Sequence, residues 1–433
     1  MKRVLFVTTG WLDNEIIKFC YESGFDLSLL HLKRSERDKF IDFPGKQYFV
    51  NDLLGLYPSR RFDRSVNDIL LSNTVHFWRR QVDFQIDQEE FQHLEKYYGA
   101  LFGLVSENSY ERVIYEGYNG ALNKLLDCAC FEVGVRAIFF SGSPFLPQPS
   151  KGTYSPHRYL LFDRFYQFDL EISESTNDDF EIKREFQRLS VDNSIYFELN
   201  MDWHKKSMTI VNLGKKLFYA TVYLLQKKSR LSLYDKLIFN SRNSKALDAF
   251  NYFKLLVKNK LTKKLRYAEL NLDEKCIIYF MHYQPEQTSH GQQNLKFYEI
   301  EHLLEIVRSM PFNYTLYIKD HFAMRNNRAI NEFDLIRRFP NVKFVDPNIP
   351  SGYFYRFANV IFATYNGSIG LEAALRNRPV ITFSRTYYSD FGNVKYWYDW
   401  STKDFDSHLA VSMTEESLFK VFKQIYTHSY ILN

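Results

Sequence analysis

Short apolar runs alternate with longer amphipathic stretches in two separate parts of this 433-residue chain. In the first part, the runs Val4–Thr8, Leu27–Leu32, Arg112–Tyr115 and Ala137–Phe140 have the length and composition of strands. The stretches between them, such as Asn119–Phe131, have the length of helices. Strands that alternate with helices of ten or more residues are typical of parallel β-α units. This part of the sequence therefore predicts an α/β domain with a mainly parallel sheet.

The same alternation starts again beyond Asn271. Its predicted strands are Cys276–Met281, Thr315–Ile318, Val342–Val345, Val360–Thr364 and Pro379–Phe383. Its predicted helices are Tyr298–Met310, Ala329–Arg338, Ser368–Arg376 and Glu415–Tyr426. Two Rossmann-type β-α-β domains and a late helix that can cross back describe the GT-B architecture of glycosyltransferases. Doubly wound sheets bind ligands at the carboxyl ends of their strands, here predicted to face a cleft between the domains.

This pattern divides the chain into four predicted segments. Residues 1–204 form an N-terminal Rossmann-like acceptor domain, and 205–270 form a basic, aromatic helical segment. Residues 271–412 form a C-terminal Rossmann-like nucleotide-sugar domain. Residues 413–433 contain a helix that is expected to cross back to the N-terminal domain.

The predicted helical segment between the domains is strongly basic. Lys205–Arg266 contains 16 Lys and Arg residues and two Asp residues, a net charge of +14, whereas the whole chain carries +5. The remainder is therefore about −9. One interpretation is docking on an anionic inner-membrane surface. A solvated helical face at the domain junction is the alternative, and no recognised motif for nucleic-acid binding accompanies the charge.

The composition is that of a globular protein, with 45% hydrophobic and 25% charged residues, and excludes a disordered or fibrous chain. No segment approaches the roughly 20 apolar residues of a membrane span. Met1–Gly10 has the pattern of a first strand and loop and not that of a signal peptide. The four cysteines form no C-x-x-C pair. We therefore expect a protein of the reducing cytoplasm. The 18% of aromatic residues indicate either sugar-stacking surfaces or compositional drift.

Two segments place polar side chains directly after predicted strands. The first contains His282, Gln284 and Glu286, and would deliver an imidazole, an amide and a carboxylate to the cleft. The second contains Lys319 and His321, which suit a phosphate or a sugar carboxylate. Either segment alone is also compatible with a solvated strand end.

A third segment follows the strand Val360–Thr364. Thr364, Asn366, Gly367 and Ser368 are small or polar residues at a predicted helix N-terminus, where free backbone N–H groups and the helix dipole favour an anion. Glu372 lies four residues after Ser368 on the same helix face and is predicted to accept hydrogen bonds from ribose hydroxyls. The sequence also fits a simple helix cap. Three such segments at strand ends of one domain favour a nucleotide-sugar site.

These segments carry a resemblance to a known family. Tyr279–Glu286, Lys319–His321, Asn366–Ala374 and Pro379–Ile381 resemble the capsule-polysaccharide-synthesis family, which includes the bacterial Kdo transferases. That family is similar in its Q-x-E and H-P motifs to CMP-sialic-acid transferases. The resemblance covers Cys276 to Tyr388, about a quarter of the chain.

The family's motifs are matched residue by residue only in part. Gln284 and Glu286 fill the Q-x-E motif, and His321 fills the histidine of H-P, with Phe322 where proline is expected. In the N-terminal half, Tyr115–Gly120 and Phe139–Pro147 resemble the acceptor-side loops. There, Ser141-Gly142-Ser143 replaces the family's acidic-Gly-Phe segment, so acceptor chemistry does not transfer.

The resemblance implies a cytoplasmic transferase that builds surface polysaccharide, and the basic segment adds the expectation that it is peripheral on the inner face of the membrane. Its donor would be a CMP-sugar carrying Kdo or another ulosonic acid, and its acceptor a saccharide or glycolipid. Glu286 or Glu116 would act as nucleophile or base, and His321, Lys319 and the Ser368 helix terminus would stabilise the leaving phosphate. We expect no cofactor and no metal, and we interpret Asp404-Phe405-Asp406 as a solvated loop.

Two alternatives remain open from the sequence. One is a GT-B relative that uses a UDP-sugar, either a transferase or a 2-epimerase. These often carry Gly-Gly at the phosphate helix, where this chain has Asn366-Gly367. The other is a non-catalytic polysaccharide assembly protein with aromatic residues as its sugar platform.

Overall fold

The structure is a computed structural model in which most of both α/β units is described. The described residues are 2–8, 13–32, 37–61, 88–116, 120–142, 158–162, 179–191, 266–271, 273–282, 299–324, 328 and 333–431, with four positions between 214 and 221. The basic segment predicted at 205–270 lies almost entirely outside them. No helix in these ranges is long and apolar enough to cross a membrane.

The two halves of the chain contain separate series of strands and helices. The N-terminal elements are β1 (Arg3–Thr8), α1 (Asp13–Glu22), β2 (Asp26–His31), β3 (Gln47–Phe49), α2 (Val50–Leu53), α3 (Gln88–Glu107), β4 (Arg112–Glu116), α4 (Gly120–Val133), β5 (Arg136–Gly142), β6 (Arg158–Phe162) and α5 (Asp179–Val191). The C-terminal elements are β7 (Cys276–Phe280), α6 (Glu299–Ser309), β8 (Thr315–Lys319), β9 (Val342–Val345), β10 (Val360–Thr364), α7 (Ser368–Leu375), β11 (Val380–Thr382), β12 (Val394–Tyr396), α8 (Phe405–Leu409), α9 (Glu415–Thr427) and β13 (Ser429–Ile431).

The C-terminal sheet has the strand order of a Rossmann fold. Its six strands lie in the order β12-β11-β10-β7-β8-β9, and every neighbouring pair is parallel. Counted from β7, this is the order 3-2-1-4-5-6 read from the other edge, which is typical of dinucleotide-binding sheets. The order reverses between β7 and β10. That boundary is where a doubly wound sheet binds its ligand.

The N-terminal sheet repeats this arrangement with a different edge. Its order is β13-β6-β5-β4-β1-β2-β3, in which the pairs from β3 to β5 are parallel, whereas β6 is antiparallel to β5 and to β13. Two Rossmann-like α/β domains in one chain constitute a GT-B-like fold, which confirms the predicted fold class.

Helices cover both faces of each sheet. The central strands are apolar on both sides and are buried by this cover. Val4, Leu5, Phe6 and Val7 of β1 are completely buried, two on each face. In the C-terminal sheet one face packs on α6 and the other on α7. Parallel sheets bury both faces in this way, and their strands therefore lack alternation of polar and apolar residues.

The end of the chain belongs to the N-terminal sheet. Strand β13 pairs antiparallel with β6, and α9 packs on α5 through Phe186, which contacts Phe419 and Phe422 with 5.4 Å between ring centroids. Helix α5 also lies against α7 of the C-terminal domain. One buried apolar cluster consequently extends from the N-terminal sheet through α5 to the C-terminal sheet.

The structure corrects one local prediction. Within the part of 329–338 that is described, Ile336–Arg338 is a short 3-10 turn and not the end of an α-helix. Asp404 and Asp406 are both exposed, as predicted, but only Asp404 lies in the loop. Asp404 caps α8, because its Oδ1 accepts a hydrogen bond from the Ser407 N–H at 3.0 Å. Asp406, one residue into α8, accepts hydrogen bonds from Lys275 and Tyr314.

Candidate functional site

The carboxyl ends of β7, β8 and β10 carry most of the predicted site residues that the structure describes. His282 lies two residues after β7, His321 lies two residues after β8, and Gly367 lies between β10 and α7. Because β7 stands between β8 and β10 in the sheet, these three ends are neighbours. The sheet therefore brings His282 between the other two segments.

The turn between β10 and α7 is held by hydrogen bonds to its backbone. Thr364 is buried, its Oγ1 accepts from the Gly367 N–H at 3.3 Å, and it donates to the Phe280 carbonyl at 3.4 Å. The Tyr388 hydroxyl donates to the Gly367 carbonyl at 2.7 Å. Gly367 occupies the N-cap position of α7 and, having no side chain, makes no side-chain cap hydrogen bond. The first turn of α7 is thus oriented without a capping group, as a helical anion site requires.

The imidazole of His282 lies against this turn. A Cβ atom placed on Gly367 would stand 3.1 Å from His282 Nε2 and 3.1 Å from Thr364 Oγ1. Glycine at 367 therefore permits an approach that a side chain would crowd. The ring of Tyr365 meets the imidazole edge-on, with centroids 6.1 Å apart. His282 itself is only 8% exposed, so its ring is fixed among packed neighbours.

Glu299, the first residue of α6, anchors His282 from the opposite side. Its Oε1 accepts hydrogen bonds from the His282 backbone N–H at 2.9 Å and from Nδ1 at 3.2 Å. Glu299 is 1% exposed, and Oε2 lies 3.7 Å from the guanidinium of Arg328. An acidic residue in the first turn of a helix is also favoured by the helix dipole.

Arg328 connects the segments that follow β7 and β8. Its guanidinium donates to both carboxylate oxygens of Asp320, at 3.1 to 3.2 Å, and to the His282 carbonyl at 3.0 Å. Together with Glu299, these residues form a group of four charged or titratable side chains, three of them buried and Asp320 half-buried, which we call the His282 cluster: His282, Glu299, Asp320 and Arg328. Buried charges are found in such paired, hydrogen-bonded groups because each alone would be costly to desolvate.

The carboxyl groups of the cluster respond differently to burial. Burial opposes ionisation of Glu299, but hydrogen bonds from His282 and the charge of Arg328 outweigh it and hold the pKa of Glu299 well below its usual value. For Asp320, burial prevails over Arg328 and raises the pKa. Glu299 is thus the firmly ionised carboxylate beside the imidazole.

Lys319 and His321 are placed differently from each other. Lys319 is 5% exposed, and its Nζ donates to the Pro347 carbonyl at 3.2 Å. Burial lowers the pKa of Lys319 to about 8. His321 is half-buried, and its ring stacks on Phe322 with centroids 4.6 Å apart. The phenylalanine that replaces the expected proline therefore packs directly on the imidazole.

The remaining predicted residues of the third segment lie on α7 or in the turn before it. Ser368 is exposed and Asn366 is half-buried. Glu372 accepts a hydrogen bond from the Tyr355 hydroxyl at 2.8 Å, and burial raises its pKa. Within the described residues, Glu372 is therefore engaged by a neighbouring phenol in the same domain.

Three predicted residues cannot be placed in the site. Gln284 and Glu286 lie outside the described residues. Glu116 ends β4 in the N-terminal sheet, with its backbone opposite Phe140, and its side chain is outside the described part.

Sequence reasoning missed Glu299 and Arg328, and it singled out Asp320 only as part of a motif. Glu299, Glu301 and Glu305 lie on one helix, but Glu299 is buried whereas Glu301 is exposed. The available signal was the position of Glu299 at the start of the helix that follows a site-bearing strand. Nothing in the sequence marks Arg328 as the arginine that reaches back to this strand.

Comparisons with known proteins give remote likenesses only. No protein-family model and no curated protein matches the chain. Among solved structures it is similar to a UDP-GlcNAc 2-epimerase from Neisseria meningitidis bound to UDP-GlcNAc, with 11% identity and a TM-score of 0.26 over 99% of both chains. It is also similar to Thermosulfurimonas dismutans KpsC, a beta Kdo 2,4 transferase, with 12% identity and a TM-score of 0.32 over 84% of this chain and 89% of that one. Likenesses at this level assign no activity, and the fold follows from the strand order itself.

Proposed function

We propose that this chain is a glycosyltransferase that transfers a sugar from a nucleotide-activated donor to a surface saccharide or glycolipid. The observation that supports this most is the meeting of His282, Gly367 and the N-terminus of α7 at the boundary between β7 and β10. Doubly wound sheets bind nucleotides where their strand order reverses. A donor phosphate at this point would meet the backbone N–H groups of α7 and the imidazole.

The proposed donor is a CMP-sugar with Kdo or another ulosonic acid. Support for CMP comes from the resemblance of Gln284, Glu286 and His321 to the Q-x-E and H-P motifs. In the proposal, Gln284, Lys319, Asn366, Ser368 and Glu372 contribute to binding of the nucleotide and sugar.

The proposed chemistry places positive groups at the leaving phosphate and a carboxylate at the anomeric carbon. His321, His282 and the α7 terminus would stabilise the charge that develops on the phosphate, without a metal ion. Glu286 would act as nucleophile in a retaining reaction or as base in an inverting one, and Glu116 is the second candidate. The reaction would take place in the cytoplasm, with the basic segment 205–270 against the anionic inner membrane.

The first prediction is the choice of nucleotide. At 100 times its dissociation constant, a ligand that binds only the folded state adds about 2.7 kcal/mol of stability. CMP should therefore raise the melting temperature more than UDP or GDP, and the enzyme should release CMP from CMP-Kdo when acceptor glycan is added. The measurements are a thermal-shift panel followed by chromatography of the released nucleotide.

The other results distinguish the alternatives. Stabilisation by UDP without an effect of CMP would contradict the CMP proposal and favour a UDP-sugar transferase or a 2-epimerase. Product analysis with UDP-GlcNAc, with and without acceptor, separates these two. Binding of oligosaccharide with no response to any nucleotide would instead indicate a polysaccharide assembly protein.

A further inference from the structure

We propose that Glu299 is a positioning residue that holds the His282 imidazole with Nδ1–H on its carboxylate and Nε2 directed at the turn between β10 and α7, where Nε2 donates to an anionic phosphate group. This inference rests on the proposed function, because it takes the phosphate to be that of a nucleotide donor. It assigns a role to Glu299 and Arg328, which carry no motif of their own.

Two hydrogen bonds to one carboxylate oxygen fix the imidazole. The His282 backbone N–H and Nδ1 both reach Glu299 Oε1, at 2.9 and 3.2 Å, so the ring can rotate only by losing a contact. An ionised carboxylate accepts and never donates, and Nδ1 must therefore carry the hydrogen. The other nitrogen, Nε2, is then the one that faces Gly367 and Thr364.

The charges around the imidazole favour its protonated form. The ring itself is contacted by Glu299 from α6 and by the phenol of Tyr365 after β10, and His302 stacks on Tyr365. Arg328 donates to the His282 backbone carbonyl and holds Asp320 after β8. Glu299 is the ionised carboxylate in direct contact with the ring, at 3.2 Å from Nδ1, and an opposite charge at this distance favours the imidazolium. A phosphate at Nε2 would favour the imidazolium further.

Arg328 keeps this arrangement attached to both strand ends. Its Nε and Nη2 both donate to the Asp320 carboxylate, and Nη2 also donates to the His282 carbonyl. Arg328 therefore links the segments that follow β7 and β8. Bidentate contacts of this kind fix geometry as well as charge. The imidazole is consequently positioned before any ligand arrives.

The test compares nucleotides with nucleosides, since their ratio of affinities isolates the phosphate. CMP and cytidine, and in parallel UMP and uridine, are titrated by calorimetry at pH 6 and pH 8.5 into wild type, Glu299→Gln and His282→Gln. The matched control is Glu301→Gln, an exposed glutamate on the same helix. After correction for the second ionisation of the phosphate itself, whose pKa is about 6, wild type should prefer nucleotide over nucleoside more strongly at pH 6 than at pH 8.5.

Glu299→Gln should reduce this preference at pH 6 by about 10- to 100-fold and remove its pH dependence, because a charge-assisted hydrogen bond contributes roughly that much. His282→Gln should do the same, and nucleoside affinity and Glu301→Gln should stay within twofold of wild type. An unchanged nucleotide preference and pH dependence in folded Glu299→Gln would overturn the proposal.

A readout on the wild-type protein keeps the inference testable if the variants unfold. Nitrogen-15 NMR of the His282 ring, assigned in wild type through its proximity to the ring of Tyr365, reports which ring nitrogen carries hydrogen. Hydrogen on Nδ1 supports positioning by Glu299, and a neutral ring with hydrogen only on Nε2 overturns it. If neither nucleotide binds, the proposed function fails, and the ring tautomer still decides whether Glu299 positions His282.

Discussion

Three buried histidines of the C-terminal domain are stabilised in three different ways. His282 hydrogen-bonds to a carboxylate, whereas His302 pairs with the Tyr279 hydroxyl at 3.0 Å and stacks on Phe383. His408 is 2% exposed and donates from Nε2 to the Val380 carbonyl at 3.0 Å. Of these three, His282 has the partner that favours a charged ring. Burial lowers the pKa of His408, so its ring is packed as a neutral core residue.

His408 makes stability depend on pH. Burial lowers its pKa from 6.5 to about 4. Between these values the unfolded chain binds a proton that the folded protein does not, so the free energy of unfolding falls as the pH decreases from 6.5 to 4. A shift of this size corresponds to about 3 kcal/mol. In urea unfolding from pH 7 to pH 4, His408→Gln should lose about 3 kcal/mol less than wild type.

His428→Gln is the control for His408, because His428 follows α9 and is more exposed than His408. Parallel stability curves for wild type and His408→Gln would show that His408 is not the group responsible.

At the residue scale, the sequence led us to predict that the small residues of the β10–α7 turn and His282 belong to the site, because their types match an anion site, and this stays a prediction. Sequence reasoning could not identify Glu299 or Arg328. Glu299 and Arg328 contact His282 although they lie 17 and 46 residues away from it in the sequence. Contacts over such sequence separations leave no local pattern that could be recognised.

Among the elements, the central strands were predicted best. The predicted strands Val342–Val345 and Val360–Thr364 have the same first and last residues in the structure. Apolar runs bounded by polar residues define both ends. The three-residue strands β3, β12 and β13 were not predicted. A strand this short has no periodicity of its own, and its partner in the sheet determines it.

Helix α7 depends on a glycine for close packing. A Cβ atom at Gly370 would stand 2.4 Å from the Tyr388 hydroxyl, which holds the Gly367 carbonyl. Strain from an added methyl group costs about 1–3 kcal/mol, and the better helix propensity of alanine offsets at most about 1 kcal/mol. Gly370→Ala should therefore lower the free energy of unfolding by about 1–2 kcal/mol and weaken stabilisation by the proposed nucleotide ligand, measured by urea and thermal unfolding.

Gly55→Ala provides the comparison, because nothing lies within 4 Å of the Cβ position at Gly55. It should leave both quantities near those of wild type. Equal behaviour of the two alanine variants would mean that Tyr388 moves aside without cost.

For the whole molecule, two series of strands and helices sufficed to predict two Rossmann-like sheets. How the chain joins them could not be derived from periodicity, since α5 packs both on α7 and on α9, more than 200 residues beyond it in the sequence. The basic segment 205–270, which gives the chain its charge asymmetry, lies outside the described residues and stays a prediction.

The contact between α5 and α9 should matter for the stability of the whole chain. Phe422 is fully buried against Phe186, and deletion of such a ring costs about 3–5 kcal/mol. Phe422→Ala should lower the free energy of unfolding by this amount in urea. Lys423→Ala removes only the neighbouring exposed ion pair with Asp179 and should cost about 1 kcal/mol or less. Similar losses in both variants would contradict a hydrophobic basis for this contact.

The pairing of β13 with β6 has a consequence for synthesis on the ribosome. One edge of β6 can pair only after residues 429–431 have been synthesised, which are translated about 270 residues later. At 5–20 residues per second this delay is roughly 15–50 s. During that interval β6 presents an uncovered strand edge, the kind of surface through which nascent chains associate with one another. Pairing of residues 429–431 with β6 would then cover an edge through which a partly made chain could associate.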